Sequence, residues 1–277
     1  MKHLSRLLVG GLALLGLAAV VYLWSQFRPR EAPAPIAAPD LAVVEAPLPP
    51  PAPLHHAIEA IKPPPEEPLP ALADNGTAVN DALVDLLGRQ QVLSFLDVRD
   101  FARHVVATVD SLARGHSASR LWPVLPASGR FLVSERDGAS YMADANAQRY
   151  AAFVRFVSAV DSDAAVALYV RMYPILQQAY VELGYPGKYF NNRLVEVIDQ
   201  LLATPDLSGP VQLILPLAKG AGDSPRPWVR YEFADPTLER RPAGQKILMR
   251  MGPENARQIK AKLRQILQRI APGGVTG

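Results

Sequence analysis

The chain has 277 residues, a formal net charge of +3 and no cysteine. Without cysteine there is no thiol catalysis, no thiolate zinc site and no disulfide framework. A charge this close to zero also lacks the basic balance of a nucleic-acid binder, so nucleic acid is not an expected partner.

The run LLVGGLALLGLAAVVYLW, from Leu7 to Trp24, carries no charge. As a helix it spans about 27 Å, close to the ~30 Å hydrocarbon thickness of a bilayer. A cleaved signal peptide is the rival reading, with Gly16 and Ala18 as its small-x-small site. The apolar residues Val20 to Trp24 beyond that site favour an uncleaved anchor, with Tyr22, Trp24 and Phe27 at the headgroup level. Lys2, Arg6 and the amino terminus outweigh Arg28 and Arg30, offset by Glu31, on the other flank. That margin places the amino terminus inside and the bulk of the chain outside the cytoplasm. Residues 1–27 are thus expected to be a signal anchor in the inner membrane.

Residues 28–73 hold fourteen of the twenty-seven prolines. Proline has no amide donor and a fixed φ, so this stretch is expected to be an extended, disordered tether with a reach on the order of 100 Å. A ligand for a proline-binding domain is the sharper alternative. His55 and His56 are adjacent within it, but a metal would need a third ligand.

From residue 74 to 277 helical periodicity dominates. A short helix over about Val79–Phe95 precedes a longer one in LDVRDFARHVVATVDSLARG. There Asp97 is placed to cap and Asp100 to sit at the third helical position. Val98, Phe101, Val105, Val109 and Leu112 fall on one face. FLVSE and ASYMA flank Asp137-Gly138, a hairpin-turn signal. Two helices follow in DANAQRYAAFVRFVSAV and DSDAAVALYVRMYPILQQAYVELG, with Asp161 as cap of the second. The latter is apolar almost all round, which predicts the most buried element, kinked at Pro174. NRLVEVIDQLLATP is a further helix up to Pro205, and PVQLILPLA with WVRYEF reads as a second hairpin. The expected fold is mainly α with two small β-hairpins.

The ordered phrases VATVDSLARG, RYAAFVRFVSAVD, LYVRMYPILQQAYVELGYP, LLATP, FADPTLE and GQKILMRMGPENA resemble an uncharacterised family of Gram-negative bacterial proteins known only as a domain of unknown function. The likeness runs over roughly residues 74–270. It implies an inner-membrane-anchored periplasmic protein and supplies no catalytic residue to carry over.

The residues themselves offer little recognisable chemistry. His116 in GHSAS lies beside Ser117, but a nucleophile elbow needs a strand before the serine and a helix after it. DSDAAVALYV starts like a Ca²⁺ loop yet continues as helix. No G-x-G-x-x-G after a strand and no phosphate-binding loop is present, so no cofactor is expected. A glycosidase needs only two carboxylates across a cleft. Glu182, at the end of an apolar helix, and Asp235, ahead of Pro236, are the catalytic candidates, with Glu239 next. Their structural alternatives are an ion-paired Glu182, with Arg155 or Arg171, and a helix-capping Asp235. Tyr169, Tyr173 and Tyr180 share a helical spacing, as core tyrosines or as a sugar-binding face.

The last helix, in GPENARQIKAKLRQILQRI, puts Ile259, Leu263, Ile266, Leu267 and Ile270 on a packing face. Lys260, Lys262, Arg264 and Arg269 then read as a solvated face. Arg230, Arg241, Lys246 and Arg250, with Arg226 and Arg240, form the alternative: a surface for phosphate, carboxylate or anionic lipid. The function expected is a binding or scaffold module engaging an envelope protein or peptidoglycan; the alternative is a cell-wall hydrolase using acidic residues.

Overall fold

The computed structural model describes residues 55–58, 61, 76–216 and 227–271. The apolar run 7–24 and most of the proline-rich stretch lie outside them. Among the described residues no helix is long and apolar enough to cross a membrane.

Helix α1 (Gly76–Leu87) and helix α2 (Arg89–Phe95) replace the single helix expected over Val79–Phe95. Gly88 separates them at φ 81°, a left-handed conformation that a side chain disfavours. Helix α3 (Phe101–Leu112) begins later than the expected Asp97 cap. Asp97 is otherwise engaged: Arg99 donates Nε and Nη2 to its two oxygens at 2.9 and 2.6 Å. That bond, above all, pulls the Asp97 carboxyl down to about 2. Asp100 takes the cap position instead, at φ 45° and without a side-chain hydrogen bond.

Strands β1 (Val133–Arg136) and β2 (Ala139–Met142) form the first hairpin across Asp137-Gly138, both at positive φ (51° and 73°). That pair of angles matches a two-residue primed turn. Helix α4 (Asn146–Ala159), helix α5 (Ser162–Glu182) and helix α6 (Phe190–Leu202) follow. Asp161 caps α5 as expected, accepting the Ala164 N–H at 2.7 Å, and Pro174 sits inside that helix. Strand β3 (Gln212–Ile214) and strand β4 (Glu232–Phe233) pair antiparallel. The two hairpins are not separate: β2 pairs with β3 through Ser140↔Leu213 and Tyr141↔Gln212. The result is one four-stranded antiparallel sheet, β1-β2-β3-β4, with α4 to α6 inserted between its halves. Helix α7 (Pro236–Glu239), helix α8 (Ala243–Arg250) and helix α9 (Pro253–Ile270) complete the chain's described part.

The main core joins α1, α2 and α3 to α5, with Val106, Ile175, Leu176 and Phe190 at its centre. Helix α5 has seven buried residues between Ser162 and Tyr180, but Asp163, Pro174 and Gln178 are exposed, so it is one-sided, and the shorter α8, buried at five of its eight residues, is the more enclosed element. A second cluster closes α5, α6 and α9 around Val166, Ile198 and Ile270. The sheet buries Leu213 and Phe233 against Met249 of α8. Each such side chain taken fully out of water stabilises by about 1.5–3 kcal/mol.

Helix α9 starts at Pro253 and packs its expected stripe, Leu263, Ile266, Leu267 and Ile270, into the second cluster. Its cations do not simply face water. Lys260 is 6% exposed and donates to the Thr204 carbonyl and to Asp206 Oδ1 at 2.9 Å. Lys262 donates to the Val160 carbonyl at 2.7 Å, and Arg269 grips both oxygens of Asp163. Asp163 and Asp206 are held below the usual carboxylate range by these donors.

Two positions test this packing. Asn146, 1% exposed, accepts the Leu132 N–H at 2.9 Å and donates to the Leu132 and Ala143 carbonyls. Asn146→Ala leaves the Leu132 N–H without its acceptor, while the two carbonyls keep the Ala143 and Asn146 N–H donors, and we expect a loss of about 1–3 kcal/mol in a denaturant titration. In α8, a Cβ on Gly244 would lie 3.2 Å from both the Leu112 Cβ and its carbonyl, and 2.6 Å from Leu201 Cδ2. Gly→Ala inside a helix ordinarily gains up to ~1 kcal/mol. Here overpacking costs about 1–3 kcal/mol, so Gly244→Ala should lower rather than raise the melting temperature.

Candidate functional site

Two open clefts each bring several charged and aromatic side chains together. The first lies between α8, the loop after α3 and the segment leading into β4. It encloses about 610 Å³ and is lined by Arg230, Lys246 and Arg250 together with His116, Trp122 and Tyr231.

Lys246 and Arg250 reach it together because they sit one helical turn apart on α8. The start of α8 is tied to the loop after α3 by the Ala243 N–H, which donates to the Arg114 carbonyl at 2.6 Å. Arg250 is the most constrained cation of the three. Its guanidinium lies 5.2 Å from the Phe233 ring centroid and 5.8 Å from that of Phe131, and Nη2 donates to the Tyr231 carbonyl at 2.7 Å. Its buried Nε has no hydrogen-bond partner among the described residues. Burial lowers the Arg250 pKa, partly countered by Glu239, Tyr150 and Glu232. The side chain stays protonated at neutral pH, as an arginine must, so desolvation leaves it a cation for which an added anion is worth more than in water.

Lys246 Nζ pairs with Glu239 Oε1 at 2.6 Å, while Glu239 Oε2 accepts the Phe233 N–H at 3.0 Å. One carboxylate therefore holds both the lysine and strand β4 in place. Arg230 Nη2 donates to the Pro216 carbonyl at 2.8 Å. Glu232 and Glu239 also line the cleft, so its charge is mixed with a cationic surplus. Arg241 is not part of it: its Nη1 donates to Gln245 Oε1 at 3.1 Å, and Gln245 in turn holds the Gln200 carbonyl. Arg226 lies outside the described residues, and Arg240 takes the carboxyl-terminal cap position of α7.

His116 and Ser117 also border this cleft, but the serine is otherwise engaged. Ser111 Oγ donates to the Thr108 carbonyl, which leaves Ser117 to donate to Ser111 at 2.7 Å. Ser117 Oγ also accepts the Trp122 Nε1–H at 2.9 Å. A hydroxyl held this way anchors the loop and is not turned toward a histidine base.

The second cleft, of about 590 Å³, lies over α6 and the end of α5. Its floor is Asp110, 5% exposed, which pairs with Arg114 and with Arg193 at 3.1 Å and receives the Tyr185 hydroxyl at 3.2 Å. Sequence reading did not single out Asp110. It falls on a polar position of α3, and its partner Arg193 comes from a helix more than eighty residues away. Tyr180 stacks on Tyr185 at 4.6 Å between ring centroids and is pushed up to about 12 by burial. Tyr169 is partly buried with its hydroxyl donating to Asn191 Oδ1, Tyr173 packs on the main core with its hydroxyl on Gln177, and Tyr180 alone of the three lines the cleft.

Glu182 and Asp235 lie in neither cleft. Glu182, its side chain 43% exposed, pairs with Arg103 at 3.2 Å and takes a hydrogen bond from Gln178. The ion pair anticipated for it is present, with a partner from α3 in place of Arg155 or Arg171. Asp235 caps α7 by accepting the Thr237 N–H at 2.7 Å, and the Thr237 side chain, followed by that N–H, lowers its pKa. Among the described residues no group of three or more His, Asp or Glu side chains is placed to hold a metal ion.

No curated protein and no solved structure matches the chain. Residues 101–267, from the first residue of α3 to the last turn of α9, match a family model described as a protein of unknown function (DUF3014), and the chain belongs to that family.

Proposed function

We propose that this protein is a binding module of the cell envelope. Residues 7–24 anchor it in the inner membrane, residues 28–73 carry the domain away from the bilayer, and the domain works outside the cytoplasm. Its partner is an envelope protein or a cell-wall component presenting a carboxylate or phosphate to the cleft between α8 and the loop after α3. The observation that carries this reading is the gathering of Arg230, Lys246 and Arg250 on one cleft, with the Arg250 guanidinium desolvated beside the Phe233 and Phe131 rings. Planar donors of this kind recognise carboxylate and phosphate through two parallel hydrogen bonds. Trp122 and Tyr231 add aromatic walls on which an apolar part of the ligand can lie.

Binding at such a site should weaken with salt, because the outer cations are only partly buried. Purified full-length protein is expected to co-sediment with cell-wall sacculi or to capture an envelope protein by crosslinking in intact cells. Arg230→Met and Arg250→Met should each lower that capture at least tenfold at a melting temperature that shows the domain folded. Arg250→Lys, which keeps the charge and loses the fork, should fall between wild type and Arg250→Met. Capture that is indifferent to all three substitutions would remove the cleft from the account.

Placement is tested separately. The chain has no cysteine, so Ala37→Cys introduces a unique thiol beside the anchor. A membrane-impermeant maleimide should label it in cells whose outer membrane alone has been opened. Labelling that requires rupture of the inner membrane would reverse the topology.

A further inference from the structure

The stretch from His55 to Ile61 lies in the sequence expected to be a free tether, yet its described residues are held against the domain. His56 is gripped through its backbone. Its N–H donates to Asn192 Oδ1 at 3.1 Å, and its carbonyl accepts from Asn191 Nδ2 at 3.0 Å. Two consecutive asparagines at the start of α6 therefore read both polar groups of one peptide unit's residue. Asn191 is 0% exposed and fully committed: Oδ1 accepts the Tyr169 hydroxyl, and Nδ2 also donates to the Ile270 carbonyl at 3.3 Å. The Ile61 N–H donates to the Ile58 carbonyl at 3.1 Å, a single turn. Ile61 is 4% exposed among Val166, Val195, Ile198 and Ile270, and Ile58 packs on the same cluster.

Backbone-directed amides beside apolar pockets are how a groove binds a peptide segment, the hydrogen bonds giving affinity and the pockets giving selectivity. We propose that the α5–α6–α9 groove is a peptide-binding site for an Ile-x-x-Ile segment, and that its resident ligand is the chain's own strap, seated through residues 55–58 and Ile61. The strap is reversible because it is short: two asparagine contacts and two isoleucines hold it, against whole helices elsewhere. His55 and His56 line the cleft whose floor is Asp110, so release of the strap also unroofs that cleft.

A tethered segment meets its own groove at an effective concentration on the order of mM, so a free peptide competes poorly until the strap is displaced. The test uses the full chain and a fluorescent peptide of residues 53–63. Hydrogen exchange should show the His56 and Ile61 amides protected in wild type, both unprotected in Ile61→Asp, and the Ile61 amide unprotected in His56→Pro, which has no amide at position 56, with α5 and α9 unchanged. The peptide should bind the Ile61→Asp chain at least tenfold more tightly than wild type, and a peptide bearing Ile61→Asp should not bind. His56→Pro alters backbone at the surface, so it carries the test even where Ile61→Asp does not fold. Unprotected amides in wild type, or no peptide binding to either vacated chain, would overturn the proposal. Equal binding to wild-type and vacated chains would do the same.

Discussion

Helix α9 closes the molecule, and the way it does so constrains everything else. Its apolar stripe covers the cluster made by α5 and α6, and its amino-terminal residues pack with α8 through Leu248, Met251 and Ala256. A helix this rich in lysine and arginine would normally leave them in water. Here several are turned onto chain segments: Lys260 holds the loop after α6, and Lys262 and Arg269 hold the junction of α4 and α5. The exposed ion pair of Arg269 and Asp163 adds little by itself, since water screens it. Lys260 differs, because its ammonium is buried and satisfies the carbonyl of Thr204, itself 4% exposed. Asn255 adds a third kind of tie, donating to the Ala147 and Met251 carbonyls. The last helix thus fixes the ends of its neighbours as well as covering their faces.

That arrangement separates two classes of cation. Of those on α9, Lys260 and Lys262 bond inward and Arg269 pairs with Asp163, while Arg257 and Arg264 stay exposed. Those of α8 lead outward to a cleft. Both belong to one continuous basic stretch in the sequence, and only the packing divides them. Arg250 stands at the boundary, with Nη2 on the Tyr231 carbonyl, the Phe233 and Phe131 rings nearby, and Nε without a hydrogen-bond partner among the described residues.

Much of the framework could be read from local pattern. The helices from Asn146 to Leu202 and the helix from Pro253 follow apolar spacing and capping residues within a few positions of their observed bounds. The Asp137-Gly138 turn needed no more than its dipeptide. What local pattern misses is pairing across distance. Nothing near Tyr141 indicates Gln212, although their pairing turns two hairpins into one sheet. Nothing in FARHVVATVD marks Asp110 as buried, because Arg193 and Tyr185 compensate it from another part of the chain. The Asp97 cap fails for a local reason: the neighbouring Arg99 takes both carboxylate oxygens before the helix can use them. Of the four basic residues singled out for binding, three meet on one cleft and Arg241 turns to Gln245. Spacing on α8 supplied the first two; Arg230 arrives through the sheet.

The same distinction bears on the described residues of the proline-rich stretch, 55–58 and 61, whose partners composition does not indicate. Proline prevents a segment from forming its own ladder or helix, and that was the basis for expecting a free tether. It does not prevent the segment from borrowing partners. At His56 both backbone groups are satisfied by asparagine side chains of the domain, with no secondary structure required of the strap. Burial of Ile61 then supplies the apolar gain that its own short segment could never organise. The relevant quantity is therefore what the folded partner offers to an extended chain, and in this molecule the offer is made by Asn191 and Asn192. Because Asn191 also bridges Tyr169 and Ile270, the residue that receives the strap is tied to α5 and to the end of α9. The strap and the closure of the domain therefore share one buried side chain.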